Sequence, residues 1–169
     1  MPKLTKSGEV QADDWQVLSK EAPFDAEQLA RGKWLVHIKL YKEHKAEFES
    51  ASNISVWLDS DDAAADIADM AARLPVISVN FPVFTDGRGF SIGRTLRERH
   101  QFSGELRAIG NFMQDQLFYL KRCGFDAFVV KDDADVESMA KSLRDFSDFY
   151  QAAVDQPLPL FRRRLDNAG

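Results

Sequence analysis

Pro75-Val76-Ile77-Ser78-Val79-Asn80-Phe81 is the most apolar strand-like run in the chain, and its reading decides the fold. A run with so little polar alternation belongs at the centre of a parallel sheet, buried on both faces. Before it, Ile67, Met70, Ala71 and Leu74 recur at i, i+3, i+4 and i+7, the stripe of an amphipathic helix. Before that helix, Ile54-Ser55-Val56-Trp57-Leu58 reads as a strand ending at Asp59. Earlier still, Trp34, Val36 and Ile38 alternate with polar positions over residues 33–39. Leu40, His44, Phe48 and Ala51 then return at helical spacing.

The same alternation continues after Phe81. A loop from Pro82 to Gly89 leads into a helix from about Ser91 to Gln101, and Leu106 to Ile109 is the next strand. Asn111 caps a further helix, with Gln114 at the capping-box position, Met113, Leu117 and Leu120 on the buried face, and Gly124 closing it. Phe128-Val129-Val130 is the fifth strand, and Asp135 opens a last helix carrying Val136, Met139, Leu143 and Phe146. Five strand–helix alternations with short links predict an α/β fold, with a parallel sheet of about five strands and right-handed crossovers. Two architectures satisfy the pattern, a Rossmann-like open sandwich and a partial (βα) barrel. Residues 1–20 read as an N-terminal arm or hairpin around Gly8, residues 21–155 as a single α/β domain, and residues 156–169 as a C-terminal tail. Pro157 and Pro159 keep that tail from extending the last helix.

Composition narrows the function classes. The 169 residues are 44% hydrophobic and 29% charged, with a net charge of −5. An acidic chain lacks the basic surface that supplies affinity for nucleic acid. No stretch approaches the roughly 20 apolar residues of a membrane span. The opening MPKLTKSGEV has no apolar run, so no signal peptide is expected. The single cysteine, Cys123, can neither form an internal disulfide nor hold an iron–sulfur cluster or a cysteine-based zinc site. His37, His44 and His100 share no ligand spacing. The expectation is a cytoplasmic protein with no metal and no resident cofactor.

Ligands of parallel α/β sheets meet the loops at the carboxyl ends of the strands. That rule selects Asp86, Arg88 and Ser91 after the third strand, with Arg94 on the following helix, Asn111 after the fourth and Lys131 after the fifth. Thr85-Asp86-Gly87-Arg88-Gly89-Phe90-Ser91 stands out: its glycines permit close backbone approach, it opens a helix, and Arg88 and Arg94 could grip an oxyanion. The plain alternative is a glycine-rich turn with arginines on a solvated face. Gly87, Gly89 and Gly93 come close to a dinucleotide fingerprint, but the last interval is wrong and the motif lies after an extra loop. A nicotinamide or flavin site is therefore disfavoured.

Several separated motifs resemble one bacterial family. They are Phe81-Pro82-x-Phe84-Thr85-Asp86-Gly87-Arg88-Gly89-Phe90-Ser91, Leu96-Arg97-Glu98-Arg99, Gly104-Glu105-Leu106-Arg107-Ala108, Asp115-Gln116-Leu117 and Arg122-Cys123-Gly124-Phe125-Asp126. Together with Asp13-Asp14-Trp15 they are similar to the signature of domain of unknown function 934. Members are often labelled oxidoreductases involved in sulfite reduction, a label that carries no catalytic residues to transfer. The resemblance implies a place beside assimilatory sulfite reductase. One cysteine excludes the catalytic subunit itself, whose sirohaem is coupled to an iron–sulfur cluster. The leading expectation is an accessory protein that binds sulfite reductase or its electron donor. Alternatives are a small-anion or phosphometabolite enzyme using Asp86 and Arg88, and a non-catalytic scaffold. Leu158, Leu160, Phe161 and the arginines at 162–164 suit docking, so a homodimer through the tail is also expected.

Overall fold

A computed structural model of the chain describes residues 2–144, 151–159 and 162–163. The five strands read from the sequence are present as β4 (Lys33–His37), β5 (Ile54–Leu58), β6 (Val76–Phe81), β7 (Glu105–Gly110) and β8 (Ala127–Val129). They are parallel and lie side by side in chain order, which is barrel order and not that of an open doubly wound sandwich. The sheet is larger and mixed, however. Residues 1–20 contribute three further strands: β1 (Lys3–Thr5), β2 (Val10–Gln11) and β3 (Trp15–Val17). β1 pairs antiparallel with β8, β2 pairs antiparallel with β1, and β3 pairs parallel with β4 at the opposite edge. The result is an eight-stranded curled half-barrel, ordered β2-β1-β8-β7-β6-β5-β4-β3. The expectation of a five-stranded parallel sheet is corrected because strands of two or three residues leave almost no periodic signal.

Among the described residues the α-helices are α1 (Ala26–Leu29), α2 (Ile38–Glu43), α3 (Lys45–Phe48), α4 (Arg88–Glu98), α5 (Leu117–Arg122) and α6 (Val136–Arg144). The helical pattern across 40–51 is split between α2 and α3, and Ile38 begins α2 instead of ending a strand. The stripe at Ile67, Met70, Ala71 and Leu74 is buried as expected, but on two 3-10 turns, Ala64–Ile67 and Ala71–Arg73. Asn111 does not cap α5, since a 3-10 turn over Gln114–Gln116 intervenes, and Met113 is exposed instead of buried. Phe146, Leu160 and Phe161 lie outside the described residues. Residues 151–155 return to the body, where the Arg122 side chain bonds Asp155 at 3.0 Å and the Gln151 carbonyl.

Alternation along the strands sorts the sheet into two faces. Ile77, Val79 and Phe81 of β6, with Leu106 and Ala108 of β7, join the large core that includes Ile92 and Leu96 of α4 and Leu117 and Leu120 of α5. Leu35, Trp57, Val76, Ile109 and Val129 form a second, smaller cluster on the opposite, inner face, with Trp15 packed against it. That inner face also holds Arg107, in register between Ser78 and Ala127 and only 2% exposed. Its Nη1 donates to Asp13 Oδ1 at 2.7 Å, and its Nε to Glu105. Lys3 Nζ meets the same Glu105 at 3.2 Å.

Asp13 lies in the link between β2 and β3, which are the two edges of the sheet. Four Cα steps from Gln11 to Trp15 span at most about 15 Å, so the curl brings its own edges together. Asp13 is therefore the point at which the arm is fastened to the far wall. Removing one partner of a buried ion pair leaves an uncompensated charge and costs about 3–5 kcal/mol. We expect Asp13→Ala to lose about 3 kcal/mol in urea unfolding, the lower end because Glu105 still reaches Arg107. The double variant Asp13→Leu/Arg107→Met should recover most of that loss.

Candidate functional site

The carboxyl ends of β4, β5 and β6 carry a dense polar network. His37 ends β4 almost fully buried, and its Nδ1 accepts the Lys39 backbone N–H at 3.3 Å, which caps α2. The ring proton therefore sits on Nε2, where it is donated to Asp62 Oδ2 at 2.8 Å. The same oxygen accepts the Asp59 backbone N–H at 2.7 Å. Asp59 in turn accepts from Asn80 Nδ2 and Lys20 Nζ, each at 3.0 Å. Burial raises the Asp59 pKa, but the hydrogen bonds from Asn80 and Lys20 outweigh it and hold the carboxyl below its ordinary value. Every member of this network is satisfied by another, so it braces the loops after β4 and β5.

Arg88 is committed in the same way. Its Nε and Nη2 donate to the two carboxylate oxygens of Asp86 at 2.9 and 2.7 Å, and Nη2 also reaches Ser60 Oγ at 3.0 Å. The Asp86 carboxylate is 10% exposed beneath an Arg88 side chain that is 62% exposed. That bidentate grip, with a further bond from the Arg88 backbone N–H, holds the Asp86 carboxyl well below the usual carboxylate range. Arg94 leans on Glu98 at 3.6 Å, one turn along α4. Ser91 lines a separate, mostly apolar hollow of about 330 Å³ with Ala64, Ile92 and Thr95.

Asn111 and Lys131 are brought together. Both line a hollow of about 320 Å³ at the carboxyl ends of β7 and β8, with Phe84, Phe112, Met113 and Met139 among its apolar walls. Two loops form its mouth, and they are tied to each other. Asn111 Nδ2 donates to the Pro82 carbonyl and Gln116 Nε2 to the Phe84 carbonyl, each at 2.8 Å. The Gln116 side chain also accepts the Met113 N–H at 2.9 Å. Gly110, with φ +94°, makes the approach possible: a Cβ there would lie 2.5 Å from Asn80 Oδ1 and from the Phe81 carbonyl. The bracing leaves Phe84 53% and Met113 48% exposed, with Val83 beside them.

The six residues singled out from the sequence thus divide among four places: Asp86 with Arg88, Ser91 alone, Arg94 alone, and Asn111 with Lys131. Sequence reasoning missed Lys20 and the apolar walls. The available signal for the walls was the pair of apolar dipeptides, Val83-Phe84 and Phe112-Met113, in loops where polar and turn residues are the rule. Among the described residues no group of three or more His, Cys, Asp or Glu side chains is arranged to hold a metal ion. No helix among them is long and apolar enough to cross a membrane.

A family model described as "Bacterial protein of unknown function (DUF934)" matches residues 55–161, well over half of the chain. The chain belongs to the DUF934 family. No curated protein and no solved structure matches it. The family match starts inside β5 and spans the remaining parallel strands, the Asp86–Arg88 pair and the whole Asn111–Lys131 hollow.

The Asp86–Arg88 geometry has a direct reading in solution. Carboxyl-carbon NMR titration should place the Asp86 midpoint well below that of an ordinary aspartate. Arg88→Ala should move it back up toward the normal value, because the cation that favours the charged form is gone. The stabilisation from this pair is present above the unfolded-state aspartate pKa and is lost as pH falls through the depressed folded one.

Proposed function

We propose that this protein is an accessory factor of sulfite reduction, acting by docking onto sulfite reductase or its electron donor. The sulfite context comes from the family resemblance. The observation supporting a docking role is the ridge of Val83, Phe84 and Met113, held outward on two hydrogen-bonded loops at the functional edge of the sheet. Large apolar side chains cost free energy when left in water, and a clustered, rigidly presented set marks a contact surface. Presentation on braced loops also lowers the ordering entropy that association would otherwise demand. Anion chemistry at Asp86 and Arg88 is less well supported, since the guanidinium fork is already filled by its own carboxylate.

Affinity capture from sulfate-grown cells tests this reading. The tagged wild-type chain should retain sulfite reductase or its reductant, and Phe84→Asp/Met113→Asp should reduce recovery at least about thirtyfold, equivalent to a single hot-spot loss. Both positions are exposed, so the variant should keep the wild-type melting temperature. Capture of neither protein by the wild type, or equal capture by the variant, would overturn the proposal.

A further inference from the structure

Lys131 and Asp133 place one charge of each sign on the wall of the hollow beyond β7 and β8, and neither forms an ion pair among the described residues. This differs from much of the surface, where Lys20 pairs with Asp59, Lys42 with Asp66 and Lys45 with Asp69. The two residues rise from one tight turn, closed by the Ala134 N–H donating to the Lys131 carbonyl at 3.0 Å. Lys131 and Asp133 are the first and third residues of that turn, two Cα steps and so at most about 7.6 Å apart, which lets both side chains serve a single ligand head.

The remaining polar groups favour a particular head. Gln114 Nε2 is spent on Ser138, donating to its carbonyl at 3.2 Å and its hydroxyl at 2.9 Å. Asn111 spends an N–H on Pro82. Gln114 is left with its acceptor oxygen, and Asn111 with its oxygen and one N–H; the two oxygens suit an ammonium group. A simple anion would meet Lys131 but be repelled by Asp133, and a simple cation would face the reverse. A zwitterion satisfies both. The rest of the wall, including Phe112, Val130 and Met139, is apolar. At about 320 Å³ the hollow falls at the small end of the roughly 300–1,000 Å³ range of small-molecule sites.

We propose that this hollow binds a free α-amino acid with an apolar side chain of about leucine size. The ligand carboxylate meets Lys131, its ammonium meets Asp133 and the acceptor oxygens of Asn111 and Gln114, and its side chain lies against Phe112 and Met139. The hollow shares Phe84 and Met113 with the docking ridge, but its charged anchors, Lys131 and Asp133, lie off the ridge.

Calorimetric titration of the full chain with L-leucine tests it, alongside 4-methylpentanoate and 3-methylbutylamine, which carry the same hydrocarbon with only one of the two charges. Leucine should bind with a Kd of about 1 mM or tighter, and each single-charge analogue at least about tenfold more weakly. Lys131→Met and Asp133→Asn should each weaken leucine binding about tenfold with the circular dichroism spectrum and melting temperature unchanged. Amide chemical-shift changes on adding leucine to the wild type should centre on Asn111 and Lys131, a readout that needs no variant. Failure of leucine to bind at that level, equal binding of either analogue, or shifts centred elsewhere would overturn the proposal. None of these measurements involves sulfite reductase, so their failure leaves the docking result standing.

Discussion

The half-barrel depends on the buried contact between Arg107 and Asp13. Arg107 stands in the middle of the inner face, on a strand flanked by parallel neighbours, where a guanidinium has no access to water. Desolvating such a group is costly unless charge and hydrogen-bonding capacity are met locally. Asp13 and Glu105 meet them, and Asp13 comes from the chain segment that links the two sheet edges. The ion pair therefore does more than neutralise a charge, since it makes closure of the arm a condition for burying the inner face at all. An apolar residue at position 107 would tolerate an open arm, whereas arginine does not.

Much of this architecture is legible in the sequence, and the part that is not has a clear physical origin. Four of the five central strands are five or six residues long and bounded by turn residues, and β8, at three, is visible because Phe128, Val129 and Val130 form an unbroken apolar run. Their order in space is not visible, because barrel order and sandwich order place the same demands on each strand. Trp15-Gln16-Val17 and Lys3-Leu4-Thr5 carry too few residues for a period to register, and their pairing is set by tertiary contacts such as Leu4 in the main core. The helical stripe at 67–74 predicts burial correctly and geometry incorrectly. A 3-10 turn and an α-turn bury nearly the same spacing, and short links to β5 and β6 favour the tighter winding.

The candidate site shows a similar division. The rule that strand carboxyl ends carry ligands brings Asn111 and Lys131 to one hollow, and that rule needs only strand boundaries. It fails for Asp86 and Arg88 because the two are close enough in the chain to satisfy each other, a local pairing that competes with any ligand. It also selects Ser91 and Arg94, but both lie on α4, where Ser91 lines a different hollow and Arg94 pairs with Glu98. The apolar walls come from loop residues whose exposure depends on Gln116 and Asn111 pinning two loops together, a relation between segments about 30 residues apart that no local pattern encodes.

The pairing of β1 with β8 has a consequence for synthesis. Lys3 sits opposite Val129, so β1 can pair with β2 early, but its other edge stays open until β8 leaves the ribosome. At about 5–20 residues per second, the amino-terminal hairpin waits on the order of ten seconds, with Leu4 uncovered. Asp13 cannot reach Arg107 until β7 has also emerged. The nascent chain thus holds the β1–β2 hairpin in reserve, and the sheet is completed only when β8 has emerged.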